Sequence, residues 1–411
     1  MHHGWILVGL VFATQFVSSG VGIYAFGVLL GPLAEDIGTT RAGISSVLVA
    51  MSVAGAAIGP LVGRAVLYIP IHRIMAVGAL TMALSFLWMS RADSLLELQL
   101  GYGIGVAFGM GTLGGVPGSA LIVNWFDERR ALALGVAGVG ISLSGALMTP
   151  VVAIWVESFG WRGTFEIFGY IALAVVPLVW WLATTHPRDR GLEPYRESAD
   201  SPDERPAQGR LLSTLETLRQ PNLWLVGIAG GISFMAATAL IAHIVAFGTD
   251  AGYDTTEAAW LLSILAAAAA LAKVLFGWLA GYTGERAAFG ISIALQAVGL
   301  IGLAEFGDSY LALLGAASAL GLGYGATVPL MNALLARVFG PLNFGPAMGL
   351  AGPILVVFQS LGAPMLGIVY DLRGNYDQGL WLLAAAMLVA ALAVSRVRIS
   401  EPPAQPATDR P

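Results

Sequence analysis

Long apolar stretches separated by short polar connections fill almost the whole chain. A helix of about twenty apolar residues crosses a bilayer, and a window of that length finds twelve crossings here. We predict transmembrane helices over residues 5–31, 42–63, 73–91, 95–123, 131–156, 164–184, 222–249, 257–282, 287–306, 309–336, 345–370 and 378–396. The first stretch is too long for a cleaved signal peptide, so we expect it to be the first span.

Composition narrows the class further. Hydrophobic residues make up 57% of the chain and charged residues 11%, which is typical of a polytopic membrane protein and excludes a soluble domain. The chain has no cysteine, which excludes disulfides, thiol catalysis and zinc-thiolate sites. It also has no phosphate-binding glycine loop and no nucleophile or metal-ligand set. We therefore expect no enzyme, no ATP-driven pump, no cofactor and no metal.

The positions of the nineteen arginines predict how the helices are oriented, because cytoplasmic connections are enriched in Lys and Arg. With the N-terminus inside, fifteen arginines fall in cytoplasmic segments. The outer loops hold only four, which are Arg41, Arg91, Arg162 and Arg373. This asymmetry predicts that both termini lie in the cytoplasm.

The longest polar connection, Thr185 to Gln220, holds four prolines and six arginines. Its first part is typical of a disordered linker, and Leu211 to Arg219 is compatible with a short amphipathic helix on the inner leaflet. The connection divides the chain into four parts. These are an N-terminal six-helix bundle (1–184), a cytoplasmic linker (185–221), a C-terminal six-helix bundle (222–397) and a cytoplasmic tail (398–411).

The two halves repeat one pattern of glycines. Glycines at corresponding spans recur 212, 214 or 218 residues later: Gly109 and Gly111 as Gly321 and Gly323, Gly135 and Gly138 as Gly349 and Gly352, and Gly59 and Gly63 as Gly277 and Gly281. Several blocks at nearly one offset indicate a duplicated six-helix unit. The predicted fold class is therefore an all-α membrane protein whose twelve transmembrane helices form two six-helix bundles. Parallel repeats of six spans are typical of the major facilitator fold, whose solute site lies between the halves near the bilayer midplane.

One charge interrupts the eighth apolar stretch. Lys273 is the only lysine in the 411 residues, and it lies between an alanine-rich run and Val-Leu-Phe-Gly-Trp-Leu. An ammonium at this depth costs about 2.5–3.5 kcal/mol on insertion scales, so its retention indicates a function. We interpret Lys273 as a fixed positive charge in a cavity, where it meets an anionic solute. The alternatives are a lysine that extends to the membrane surface or pairs with a buried acid, but no Asp or Glu lies near the middle of any predicted span.

Several motifs carry a resemblance to a known family. They are His3-Gly4-Trp5, Tyr24-Ala25-Phe26, the run from Trp125 to Gly135, Gly160-Trp161-Arg162, Tyr370-Asp371 and Gly374-Asn375-Tyr376. Over essentially its whole length, the chain resembles the monocarboxylate porter and oxalate:formate antiporter branch of the major facilitator superfamily. The resemblance implies a bacterial relative in the cytoplasmic (inner) membrane. We expect a monomer in contact with membrane lipid and without nucleic-acid partners.

The chain departs from this family at its gating loops. After Gly63-Arg64, the residues Tyr68 to Ile71 replace the usual acidic part of the loop, and Gly281-Tyr282 stands where Asp-Arg is usual. The family's span-eight aspartate and arginine correspond to Ala269 and Lys273. The positive charge is therefore kept and the acid is lost.

The resemblance also assigns roles to other polar residues inside the membrane. It places His243 near the span-eight cation, whereas a lone buried histidine more often binds a backbone carbonyl. Tyr324 and Thr112 hold equivalent repeat positions after Gly-x-Gly, so they form either a hydroxyl pair on a carboxylate or ordinary helix–helix hydrogen bonds. Candidates for which a packing or structural role competes equally are Tyr24, Asn332 and Gln359. Around the span-five motif, Asp127, Arg129 and Arg130 are interpreted as gating and anchoring residues, and Asp371 as an outer capping or gating residue.

Three classes of function remain. We favour a secondary transporter of a small organic anion, such as lactate or pyruvate, over an exporter of another solute. A membrane enzyme or receptor is the third class. We expect alternating access by rocking of the two bundles, with a proton moving beside the anion and with Lys273 or His243 as its carrier. Exchange of the oxalate:formate type and facilitated diffusion stay open.

Overall fold

The computed structural model describes residues 3–39, 41–193, 195 and 210–399. Within these residues, ten helical stretches are long enough to cross a membrane, and two of them are long enough to cross it twice. Numbered as spans, they are span 1 His3–Asp36, span 2 Arg41–Tyr68, span 3 Ile71–Met89, span 4 Leu95–Trp125, spans 5 and 6 Arg130–Leu182, span 7 Pro221–Asp250, span 8 Thr255–Thr283, span 9 Glu285–Glu305, spans 10 and 11 Tyr310–Arg373, and span 12 Asp377–Ser395. The protein is a multi-pass membrane protein of twelve spans, as predicted.

Single glycines break the two double-length helices. Gly160 has φ 68° between spans 5 and 6, and Gly340 has φ 68° between spans 10 and 11. A side chain at this backbone geometry would be strained, so glycine permits an abrupt reversal without a loop. The sequence predicted separate spans at these points, and each reversal takes one residue.

Spans 1 and 4 contain wide helical turns with i→i+5 hydrogen bonds. These turns are Gly20–Tyr24 in span 1, and Gly101–Val106 and Gly111–Gly115 in span 4. Such turns occur often at functional sites, because they displace the side chains that follow. One of them ends at Tyr24, a predicted site residue.

The linker contains local structure near both of its ends, so the prediction of disorder after span 6 is wrong for the residues that are described. Pro187–Arg190 forms one tight turn that Gly191 closes with φ 67°. The amide of Tyr195 then donates to the carbonyl of Trp125 at 2.8 Å. Its ring packs against Trp5 and Phe126. The rest of the predicted disordered stretch lies outside the described residues.

The predicted amphipathic helix is present as Thr214–Leu218, which Ser213 and Glu216 cap. Protein contacts hold it on both sides. Arg64 of span 2 donates to Thr214 at 3.0 Å, and the amide of Leu212 donates to Asn343 of span 11 at 2.8 Å. The segment therefore connects the two halves through these hydrogen bonds.

The two halves approach each other at the end of the spans where the linker and both described termini lie. We call this end the linker side and the opposite end the far side. Span 2 crosses span 11 at Gly59, Gly63, Gly345 and Gly349, where an added methyl group would collide with the opposing backbone. Span 8 crosses span 5 in the same way, because a Cβ on Gly277 would lie 2.7 Å from the carbonyl oxygen of Ala131. Small residues let helices in a bilayer pack this closely.

The halves separate toward the far side. Gly55 lies one turn beyond Gly59 on span 2, and Gly352 lies one turn beyond Gly349 on span 11. An added Cβ at either position would meet nothing within 4 Å. The structure is therefore closed at the linker side and opens between the bundles toward the far side.

Candidate functional site

Lys273 lies where the two halves meet, and its side chain reaches across to the opposite half. Its ammonium donates to the carbonyl oxygen of Gly138 at 2.9 Å and to the hydroxyl of Ser142 at 2.6 Å. Both acceptors belong to span 5, and because they are four residues apart they face the same way. Lys273 is ten residues from the linker-side end of span 8, or about 15 Å at the helical rise. The ammonium is thus held well inside the membrane.

The described part of the chain offers Lys273 no carboxylate. Among these residues no Asp or Glu forms an ion pair with it, and both hydrogen-bond acceptors are neutral. An ammonium has three donors, and two are used. The alternatives from the sequence, a lysine at the membrane surface and a lysine paired with an acid, do not describe this geometry. What the geometry provides is a positive charge with a free donor beside the opening between the bundles.

Two tyrosines from opposite halves lie near this group. Tyr24 of span 1 packs its ring against Gly145, where an added Cβ would be 2.9 Å from the ring. Gly145 is three residues beyond Ser142 on the same face of span 5. Tyr24 is 37% exposed, and its phenol lies close to that of Tyr324 on span 10. Tyr324 contacts Phe234 edge to face, with ring centroids 5.7 Å apart. The two phenols can therefore supply hydroxyl groups to a solute between the halves.

Thr112 does not join this group. It is 1% exposed, and its hydroxyl donates to the carbonyl of Phe108 in its own helix at 2.6 Å. The side chain packs directly onto Gly78 of span 3. The predicted hydroxyl pair of Thr112 and Tyr324 is therefore not formed, because the small residue that accommodates Thr112 lies inside the N-terminal half.

His243 lies near the far-side end of span 7 and bonds within its own half. One ring nitrogen is 3.1 Å from the carbonyl oxygen of Ala363, and the other is 3.3 Å from the hydroxyl of Tyr376. Burial raises the pKa of the Tyr376 phenol, and nearby Asp250 adds to the effect. The phenol therefore keeps its proton and can donate it to the imidazole. This is the carbonyl-bonded arrangement that the sequence left as an alternative to a cavity role.

Asn332 and Gln359 occupy different environments. Asn332 is 3% exposed, and its amide donates to the hydroxyl of Ser119 on span 4 at 3.3 Å, across the interface between the halves. Its carbonyl oxygen is buried and has no partner in the described structure. The Gln359 side chain is exposed on span 11, and its backbone carbonyl accepts a hydrogen bond from Thr238. Asn332 is thus part of the closed linker side.

Charges cluster where the linker-side ends of the two halves meet. Arg130 starts span 5 and donates to the carbonyl of Phe126 at 3.0 Å. Asp127 of its own half and Glu285 and Arg337 of the opposite half lie near its guanidinium. Arg129 precedes it with φ 55°, an uncommon geometry for a residue other than glycine. At the far side, Asp371 is exposed and interacts with Tyr370 and Tyr376.

The sequence pattern did not identify the two span-five groups, in Gly138 and Ser142, that bind Lys273. Nothing in the spacing of Gly138 or Ser142 distinguishes them from other small residues of a glycine-rich helix. It also missed Gln15 of span 1, whose amide donates to the carbonyl of Gly114 at 3.4 Å. The Gln15 carbonyl oxygen is buried, with no partner among the described residues. A signal for Gln15 existed, since it is a lone amide in an apolar span.

Two bundles of six spans, closed at one end beside a half-buried cation, are typical of a secondary transporter rather than an enzyme. The chain belongs to the Major Facilitator Superfamily, whose family description matches residues 11–255 and 226–411. Relatives named as monocarboxylate transporters match nearly the whole chain. Monocarboxylate transporter 11 of Homo sapiens is 28% identical over 94% of this chain and 81% of its own length. Monocarboxylate transporter 3 of Rattus norvegicus is 28% identical over 95% and 78%.

Solved structures show the same fold at lower identity. The human organic anion transporter TETRAN has a TM-score of 0.71 at 17% identity, covering 94% of this chain and 99% of its own. The E. coli fucose:proton symporter has a TM-score of 0.72 at 14% identity, covering 96% and 99%. These likenesses confirm the predicted major facilitator fold, and the relatives show that the chain is similar to monocarboxylate transporters.

Proposed function

We propose that this protein moves a small monocarboxylate, such as lactate or pyruvate, across a bacterial cytoplasmic membrane by alternating access. One observation carries the proposal: Lys273 is a half-buried cation that reaches across the interface between the halves and bonds there only to neutral groups. A single positive charge suits a single carboxylate. The names of the relatives, monocarboxylate transporters, point to the same class of solute.

In this mechanism the solute enters from the far side, where the bundles separate beyond Gly55 and Gly352. Its carboxylate pairs with Lys273, and the hydroxyls of Tyr24 and Tyr324 are available to its remaining oxygens. Neutralising a charge in a low-dielectric cavity lowers the cost of enclosing it. The loaded protein can then close at the far side and open at the linker side.

The linker side is the cytoplasmic side in this proposal, because most of the arginines within the described residues lie there. Arg130, with Asp127 and the opposing Glu285, forms the gate that parts when this side opens. Asn332 and Ser119 part with it. Asp371 stays outside, near the far-side end of span 11.

We further propose that a proton accompanies the anion. A proton on Lys273 and a carboxylate beside it stabilise each other, so the two bind cooperatively and reciprocally. His243 is held by Ala363 and Tyr376 at the far side, which leaves Lys273 as the preferred carrier. In the empty protein, Gly138 and Ser142 satisfy the ammonium. For a proton to be transported, Lys273 must release it with the anion at the linker side and return as the neutral amine, because return as the ammonium would move the anion alone.

The test is thermal stabilisation of the purified protein by a panel of small acids and their neutral amides. A ligand that binds only the folded state at one hundred times its Kd adds about 2.7 kcal/mol of stability. We expect lactate or pyruvate to raise the melting temperature and lactamide to leave it unchanged. Stabilisation by lactamide and lactate alike would contradict the role of charge. Stabilisation by dicarboxylates alone would contradict the monocarboxylate assignment.

A further inference from the structure

The contact between Lys273 and span 5 joins the two halves of the molecule. Span 8 carries the ammonium, while Gly138 and Ser142 belong to the opposite bundle. Spans 5 and 8 also form one of the two glycine crossings that close the linker side. Opening that side separates these spans. The hydrogen bonds of the ammonium to span 5 are therefore made only while the linker side is closed.

Of the two acceptors, only the Ser142 hydroxyl lies outside the backbone hydrogen-bond pattern of the helix. The carbonyl of Gly138 already accepts the helical hydrogen bond from the amide four residues later, so it is shared. The Ser142 hydroxyl is half-buried and lies 2.6 Å from the ammonium, the shorter of the two contacts. A hydrogen bond to a charged group inside a protein is among the stronger ones. Ser142 thus favours the closed linker side as long as Lys273 is free to bind it.

We propose that Ser142 is a positioning residue that holds Lys273 in the empty protein, and that a bound anion releases it. This inference rests on the proposed function, because the anion must pair with Lys273 to compete with Ser142. The carboxylate takes the third donor and neutralises the ammonium, so the bonds to Gly138 and Ser142 lose the strength that the charge gave them and weaken. Anion binding then promotes opening of the linker side. Ser142 thereby couples occupancy of the site to the direction in which the transporter opens.

The chain provides a clean reporter, because it contains no cysteine. Ser119 is 4% exposed and accepts a hydrogen bond from Asn332 across the closed linker side. Ser119→Cys is nearly isosteric and introduces the one thiol of the protein. Its rate of alkylation by N-ethylmaleimide in purified protein measures how often spans 4 and 10 separate. All other variants are made in this Ser119→Cys background.

Ser142→Ala is the decisive variant, and Ser144→Ala is its matched control. Ser144 lies two residues further along span 5, is fully buried and donates to the carbonyl of Ile141 in its own helix. Loss of a hydrogen bond to a charged group changes an equilibrium about tenfold or more. We expect Ser142→Ala to speed alkylation by about that factor. Ser144→Ala and the hydroxyl-retaining Ser142→Thr should react at the parent rate.

Two further measurements separate this inference from the proposed function. Lactate should speed alkylation of the parent, and its effect should shrink in Ser142→Ala. Lys273→Gln removes the same contact, so adding Ser142→Ala to it should cause no further acceleration. If Ser142→Ala reacts like Ser144→Ala, or if its effect adds fully to that of Lys273→Gln, the positioning role is wrong. If Ser142→Ala is fast but no monocarboxylate affects the parent, the contact stands and the proposed solute fails.

Discussion

The two crossings that close the linker side are copies of one another with different chemistry. Span 2 meets span 11 around Gly59 and Gly349, and span 8 meets span 5 around Gly277 and Gly135. Gly59 and Gly277 are 218 residues apart, and Gly135 and Gly349 are 214 residues apart. The internal repeat therefore makes the two crossings equivalent. In both, glycine lets one backbone touch another. The duplication therefore supplied the packing twice.

Only one of these two crossings carries a cation. The repeat position of Lys273 is Gly55, and those of Gly138 and Ser142 are Gly352 and Val356. Beyond the crossing of spans 2 and 11, the structure has open space beside Gly55 and Gly352. Beyond the crossing of spans 8 and 5, the ammonium bridges the gap. Closure of the linker side is therefore symmetric between the two crossings, whereas the proposed anion site is not.

The largest effect that we expect is on transport by variants of Lys273. Lys273→Gln should abolish anion uptake into proteoliposomes, since truncating a buried charge contact costs about 2–5 kcal/mol. Lys273→Arg should keep partial activity, because it keeps the charge on a different donor geometry. Gly55→Ala is the matched control at the equivalent position and should transport normally. Full uptake by Lys273→Gln would show that transport does not depend on the charge that distinguishes the two crossings.

The second prediction concerns proton coupling. Lactate uptake should rise as the outside pH falls and should collapse with a protonophore, because proton and anion bind cooperatively at Lys273. His243→Gln should keep this pH dependence, since His243 bonds to Ala363 and Tyr376 within the C-terminal half. Loss of the pH dependence in His243→Gln would instead identify histidine as the carrier. Uptake that ignores pH but accelerates with anion loaded on the opposite side would favour exchange.

The third prediction tests the shared packing of the crossings. Gly135→Ala would place a methyl group on the carbonyl oxygen of Lys273, and a backbone cannot rotate away as a side chain can. Overpacking of this kind costs about 1–3 kcal/mol, so we expect a lower melting temperature. Gly352→Ala faces open space and should be neutral or slightly stabilising, as alanine favours a helix. Equal melting temperatures for the two variants would show that the crossing is looser than described.

The smallest effect concerns two far-side turns, one between spans 5 and 6 and one between spans 11 and 12, which we call corners. The internal repeat also relates these two corners. In the N-terminal half, Arg162 pairs with Asp36 and with Asp93 at 3.0 Å. The corresponding corner of the C-terminal half carries Tyr376, which stacks on Tyr370 and contacts His243. Because the Arg162 pairs are solvent-exposed, Arg162→Gln should cost at most about 1 kcal/mol, and less at high salt. Tyr376→Phe should be insensitive to salt. Thermal unfolding at two ionic strengths would distinguish the corners, and equal salt responses would contradict the difference.

Sequence reasoning predicted the spans and the importance of Lys273, because both depend on the cost of placing residues in hydrocarbon. It could not predict Ser142 or Gly138, since the partner of a side chain across an interface depends on how two helices cross. Thr112 shows the same limit. Its Gly-x-Gly motif correctly indicated a close helix approach, but the approaching helix is span 3 within the same half. The short helix near Leu218 followed from its amphipathic pattern, whereas its contacts with Arg64 and Asn343 required the folded structure.

The most direct test of the central claim is calorimetric titration of lactate into the purified protein and two variants. The account predicts that the native protein and Gly55→Ala bind lactate with the same Kd. Lys273→Gln should bind it at least about thirtyfold more weakly, which corresponds to losing about 2 kcal/mol. Unchanged lactate affinity in Lys273→Gln would show that the anion finds its charge partner elsewhere and would contradict the account.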